Sequence, residues 1–141
     1  MNWLQKKAVL VPTDFSDLSF TALEPAREFV KEISQVHVLH VLPKLHPAEP
    51  GMVWKAVSSE SRRQHAEAAL RTQLQERGYE GVQVQIAIGT PSHEIVDYAK
   101  DRGIELIVMP THGYTGVKRV LIGSVAGQVA RLAHCPVLLL H

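Results

Sequence analysis

One cysteine, Cys135, stands in a chain of 141 residues. A lone thiol excludes an intrachain disulfide framework and any cysteine-based zinc knuckle, and it suits a reducing compartment. Neither charge is in excess: 15 Lys and Arg against 14 Asp and Glu leave a formal net charge of +1. That balance argues against a dedicated nucleic-acid grip, which needs a basic face, and fits a small-molecule ligand better than a polyanion. No apolar run approaches the ~20 residues that span a bilayer. The opening MNWLQKKAVLVP meets Pro12 and Asp14 before it could build a secretory core, so a cytoplasmic location is expected. Internal repeats and low-complexity tracts are missing as well. So are the common nucleotide fingerprints: no GxGxxG follows a strand, and no GxxxxGK precedes Ser or Thr.

What is present is a near-balanced, 45% hydrophobic chain of one domain's length, read as a single unit over residues 1–141. Five short apolar runs serve as strand candidates: Ala8–Val11, Val36–Leu42, Val82–Ile88, Ile104–Met109 and Val137–Leu140. The near-continuous IELIVM predicts a strand covered on both faces. The alternating VQVQIAI predicts a sheet edge. Four helical segments lie between. The first carries Ala22, Ala26, Phe29, Val30 and Ile33 at helical spacing, with Pro25 predicting a bend or a late start. The second runs from about Ser58 to Arg77, with Ala66, Ala69, Leu70 and Leu74 as its stripe and Gly78 as its stop. The third opens at Thr90 as N-cap with Pro91 at the first position, faces Ile95, Val96 and Ala99 inward, and ends at Gly103. The fourth follows Gly123–Ser124 and presents Val125, Val129 and Leu132. Strict alternation of strand and helix predicts an α/β fold, a doubly wound five-stranded parallel sheet flanked by four helices. The proline-rich Pro43–Gly51 reads as a flap or a docked surface loop.

Candidate chemistry gathers at two strand ends. The connection within Val108–Ser124, VMPTHGYTGVKRVLIGS, is more than twice as long as such a turn requires. Its Gly113, Gly116 and Gly123 free the backbone to form an anion nest, with Lys118 and Arg119 between them. Gly123–Ser124 then opens a helix, whose N–H groups and dipole favour phosphate. Ser124 serves either as an N-cap or as a phosphate contact. At the other end, Asp14 in VPTD accepts hydrogen bonds either from ribose hydroxyls or from local amides, and can help hold a cation beside phosphates. Cys135 reads as a small apolar residue. The histidines, His112 included, read as solvated, and no pair of them has metal-ligand spacing on one face. His37 and His40 point to opposite sides of their strand.

VLVPTDFSDLSFTAL, HVLHVL, GTPSHEIVDYAKDRGIELIVM, HG with GS nine residues on, and HCPVLLL stand in this order. Across essentially its whole length the chain resembles the nucleotide-binding branch of the universal stress proteins. That family's signature is Gly, two residues, Gly, nine residues, then Gly-Ser or Gly-Thr. Gly113, Tyr114–Ile122 and Gly123–Ser124 match it, whereas Pro110 stands where the first glycine belongs. Proline has no N–H to give a phosphate, so the nest loses one donor there. The resemblance implies the Rossmann-like, adenine nucleotide alpha-hydrolase-like architecture with strand order 3-2-1-4-5. It implies an adenine nucleotide (ATP, ADP or AMP) held by Pro12, Thr13, Asp14, Val41, Met109, His112, Gly113, Gly123, Ser124 and Val125, with the second strand's backbone meeting the adenine. Any Mg2+ or Mn2+ would arrive on the phosphates. It also implies a homodimer paired through Val137–Leu140, with no nucleic-acid or membrane partner. No catalytic set stands out. The residues leave three readings open: a nucleotide-binding or sensing module, a slow ATPase in the same pocket, and a nucleotide-free dimeric scaffold.

Overall fold

The computed structural model describes residues 3–45, 55–111 and 123–141, with backbone alone for 55–58. Five strands, β1 (Val9–Pro12), β2 (Val36–Leu42), β3 (Gln83–Ile88), β4 (Leu106–Pro110) and β5 (Val137–Leu140), form one parallel sheet in the order β3-β2-β1-β4-β5. The expected strand order is therefore the observed one, and the alternating β3 does sit at an edge. Every residue of β1 and β4 is buried, because helices cover both faces of these inner strands.

Period-two alternation divides the core. Val9, Val11, Val36, Val38, Leu106 and Val108 pack with Phe20, Leu23, Ala26, Leu70 and Leu74 on one face. Leu10, Leu39, Ile107 and Met109 pack with Ile95, Ala99, Ala126 and Val129 on the other. The first face is covered by α1 (Asp17–Phe20), α2 (Leu23–Glu28) and α3 (Lys55–Glu76). The second is covered by α4 (Pro91–Asp101) and α5 (Ser124–Leu132).

The first predicted helix is thus two short ones. Pro25 sits in the first turn of α2, where no intrahelical N–H is needed, and the helix stops at Glu28. Phe29, Val30 and Ile33 follow it in a turn and a short 3-10 segment, Ile33–Gln35. The helix expected from Ser58 begins at Lys55, and its Ala69 faces solvent while Leu70 and Leu74 are buried. In α5 the inward residues are Ala126 and Val129; Val125 and Leu132, expected inside, are exposed. Of the Pro43–Gly51 loop, residues 46–51 lie outside the described residues.

Gly78 and Gly103 stop their helices as expected. Both are in the left-handed region, with φ of +85° and +62°. Each allows a paired closure: Tyr79 N–H donates to Leu74 C=O at 2.8 Å and Ile104 N–H to Ala99 C=O at 2.9 Å, the signature of a Schellman stop. Among the described residues no helix is long and apolar enough to cross a membrane.

The α3 pattern gives a direct test. Leu70→Ala should cost about 2–5 kcal/mol of stability through transfer and cavity terms. Ala69→Glu should stay within about 0.5 kcal/mol. Urea midpoints of the two variants check this, and equal losses would put α3 in another rotation.

Candidate functional site

The chain leaves β1 toward β2 and leaves β4 toward β5, so the loops after these adjacent strands part company. A crevice opens at that switch point. It holds a cleft of about 440 Å³, within the size range of small-molecule sites. Its walls are mostly apolar: Leu39, Val41, Pro91, Ile95, Met109 and Ala126 line it. Asp14 at the end of β1 is the one acid on its lining, and no Lys or Arg lines it among the described residues.

The turn after β1 is fixed by its own hydrogen bonds. Thr13 N–H donates to Leu39 C=O at 2.9 Å, the last rung between β1 and β2. Phe15 N–H donates to Thr13 Oγ1 at 3.1 Å. Ser19 Oγ gives its proton to Ser16 C=O at 2.8 Å, so in the 2.6 Å Thr13–Ser19 hydroxyl pair the donor is Thr13. Asp14 Oδ1 accepts from Ser16 N–H at 3.0 Å and from the Ser16 hydroxyl. Ser16 in turn caps α1 through Ser19 N–H. Phe15 adopts φ +69°, a conformation that costs a bulky L-residue about 1–3 kcal/mol. Edge-on contacts with His40 at 4.7 Å and Phe20 at 6.5 Å hold it there.

Strand alternation fixes which peptide groups face the cleft, since successive residues address opposite neighbours. Leu42 C=O accepts from Gly89 N–H on the β3 side, so Val41 turns its N–H and C=O toward β1. There, β1 has already turned away at Thr13. Ile107 and Thr111 donate toward β5, to Pro136 and Leu140, so Pro110 faces β1. Pro12 faces β4 by the same reasoning. Pairing between β1 and β4 ends at Leu10↔Ile107, and both prolines therefore border the gap beyond it. This is why the inner strand β4 tolerates Pro110: no ladder bond is lost, only a donor into the crevice.

On the far wall, Thr111 C=O accepts from Gly123 N–H at 2.7 Å, and Gly127 N–H makes the first turn of α5 by donating to Gly123 C=O at 2.8 Å. The N–H groups of Ser124, Val125 and Ala126 precede that first rung. Gly123, not Ser124, holds the cap position, and Ser124 is the first helical residue. Thr90 holds the cap of α4 without a side-chain cap bond. Ser92 Oγ donates to Gln128 Oε1 at 2.8 Å, tying α4 to α5 beside the cleft.

The cleft thus brings together Pro12, Thr13, Asp14 and Val41 from one side, and Met109, Gly123, Ser124 and Val125 from the other. His112 and Gly113, like Gly116, Lys118 and Arg119, lie outside the described residues. Sequence reasoning missed Ser19, Leu39, His40, Pro91, Ile95, Thr111 and Ala126, which also line it. His37 and His40 are not solvated as expected. His37 is 6% exposed and shares a 2.7 Å hydrogen bond with Tyr98; His40 is half-buried and bonds Thr13 C=O at 2.8 Å. They do point to opposite faces. Cys135 packs half-buried against the α4/α5 side of the core, and burial pushes its thiol up, away from thiolate chemistry.

A sequence model described as the Universal stress protein family matches residues 6–141. The chain belongs to that family. Universal stress protein MJ0531 of Methanocaldococcus jannaschii is 37% identical over 139 residues, covering 94% of this chain and 80% of its own length. The solved universal stress protein UspA from Lactobacillus plantarum superposes with a TM-score of 0.73 at 28% identity, over 97% of this chain and 99% of its own. A universal stress protein solved in complex with cAMP shares the fold, with a TM-score of 0.67 at 18% identity over 96% and 97% of the two chains.

Within this universal stress protein, α4 is held on the sheet by the His37–Tyr98 bond, with the Arg102 guanidinium 5.2 Å from the Tyr98 ring centre. Burial, and then the Arg102 charge, push the His37 pKa below 6.5; burial raises that of Tyr98. The folded state therefore excludes a proton that the unfolded chain accepts. The resulting stability is complete above about pH 6.5 and is lost as pH falls toward the depressed folded value. Urea midpoints should drop between about pH 7 and pH 5, and His37→Gln should flatten that slope. An unchanged slope in the variant would assign the pH dependence to other groups.

Proposed function

We propose that the cleft binds an adenine nucleotide, and that the protein acts as a cytoplasmic nucleotide-binding or sensing module of the stress response, built as one unit over residues 1–141. The observation that supports this reading is Val41. It turns a donor and an acceptor side by side into an apolar slot, complementary to the ring nitrogen and exocyclic amine of adenine. Leu39, Ile95 and Met109 would flank the base. Asp14 and the carbonyls of Pro12 and Pro110 offer acceptors suited to ribose hydroxyls. The first-turn N–H groups of α5 would meet phosphate.

Any Mg2+ or Mn2+ would come with the phosphates; among the described residues no group of three or more His, Cys, Asp and Glu is placed to hold a metal ion. Phosphoryl transfer needs positioned cations and an oriented water. Lys118 and Arg119, the cations that the sequence offers, lie outside the described residues, and binding without turnover is the reading put to the test.

Equilibrium dialysis at millimolar AMP, ADP and ATP should show one site per chain. Asp14→Ala should weaken binding about ten-fold or more, as for a hydrogen bond to a charged group. Pro110→Gly restores a donor at the crevice and should tighten phosphate-bearing ligands about three- to ten-fold. Bound ATP should be recovered intact after hours. Failure of all three nucleotides to bind would leave the scaffold reading.

A homodimer through β5 is part of the proposal. The outer side of this edge strand has no partner strand among the described residues, its four residues are only half-buried, and Leu132, the last residue of α5, is 50% exposed. An open apolar edge invites pairing. Light scattering should return about twice 15.6 kDa, and a stable monomer would refute the pairing.

A further inference from the structure

Val41 can meet a base only if its N–H is not already taken, and the register threatens to take it. Pro12 pairs with Leu39, which places Thr13 level with His40. In a parallel ladder the carbonyl of Thr13 would then accept from Val41 N–H. It does not do so. That carbonyl accepts instead from His40 Nδ1 at 2.8 Å. A carbonyl only accepts, so His40 must carry its proton on Nδ1. Phe15 N–H, which would be the next rung to Val41 C=O, is held by Thr13 Oγ1 at 3.1 Å. The Phe15 ring stands edge-on against the His40 imidazole at 4.7 Å.

We propose that His40 is a positioning residue for the base: by drawing the Thr13 carbonyl toward its imidazole and out of line with Val41 N–H, it ends the β1–β2 ladder one rung early and keeps that N–H open to a ligand's ring nitrogen. This rests on the adenine reading for the identity of the ligand, but the open amide is a property of the free protein.

The test uses the full chain and two variants. His40→Phe keeps an aromatic ring against Phe15 and removes the donor. His40→Asn retains an N–H at nearly the position of Nδ1. In the ligand-free protein, Val41 N–H should exchange quickly by NMR. In His40→Phe the Thr13 carbonyl closes onto it, and exchange slows about ten-fold or more while the other β2 amides keep their rates; His40→Asn stays fast.

The ligand readout compares AMP with 1-deaza-AMP, whose ring nitrogen is replaced by CH. That replacement should cost the wild type and His40→Asn about ten-fold in affinity, one hydrogen bond, and His40→Phe nearly nothing. A Val41 amide protected in the free wild type, or unchanged in His40→Phe, overturns the role of His40. If neither nucleotide binds but exchange behaves as stated, the adenine reading fails and the positioning role stands.

Discussion

A strand sends the peptide groups of successive residues to opposite neighbours, so a ladder that stops early leaves groups facing an empty place. In this protein β1 lies between β2 and β4, and its last rung is Thr13 N–H to Leu39 C=O. The cleft is the space beyond that rung. Its polar character follows from which residues stand opposite the gap. Val41 contributes a donor and an acceptor, while Pro12 and Pro110 contribute acceptors alone. The same alternation builds the core, with odd and even positions of β1 packing against different helix layers. Fold and site are consequences of one periodicity.

The turn that ends β1 carries the tension in this arrangement. Phe15 sits at φ +69°, where glycine would be easier. A large ring there is held by contacts on two sides, and it seals the apolar face against His40 and Phe20. The hydroxyls of Thr13 and Ser19 pair with each other, that of Ser16 donates to Asp14, and Thr13 and Ser16 also accept from the turn's amides. A turn that meets its own hydrogen-bonding needs makes no demand on Val41. Local satisfaction here is what leaves polar groups open elsewhere.

Much of this was legible in the sequence because it rests on local rules. Gly78 and Gly103 marked helix ends through the conformation only they adopt cheaply, and the texture of VQVQIAI placed β3 at an edge. The errors arose where tertiary placement decides. Ala69 and Leu70 both fit an apolar stripe, and only the rotation of α3 against the sheet separates them. Val125, Val129 and Leu132 read as inward, yet α5 buries only Val129 of the three and turns the small Ala126 in beside it. Histidine gives no local signal of its partner: alternation put His37 and His40 on opposite faces, but not Tyr98 beside one and a carbonyl beside the other. Pro110 stood out as a departure from the family signature, and its tolerance needed the direction of its missing N–H.

Pro12 and Pro110 also bear on how the cleft would divide a ligand. Neither can donate, and both border the gap between β1 and β4 with carbonyls and the nearby Asp14. That end repels negative charge and suits hydroxyls. The donors on the described wall lie at the start of α5 instead, where Gly123 begins a helix with no side-chain cap to compete for its first N–H groups. A ligand with an apolar ring, a hydroxylated middle and an anionic end therefore has one sensible orientation, set by where the sheet lacks donors as much as by where the helix supplies them. Pro110, which brings a carbonyl but no N–H to this end, thereby sharpens the polarity of the cleft.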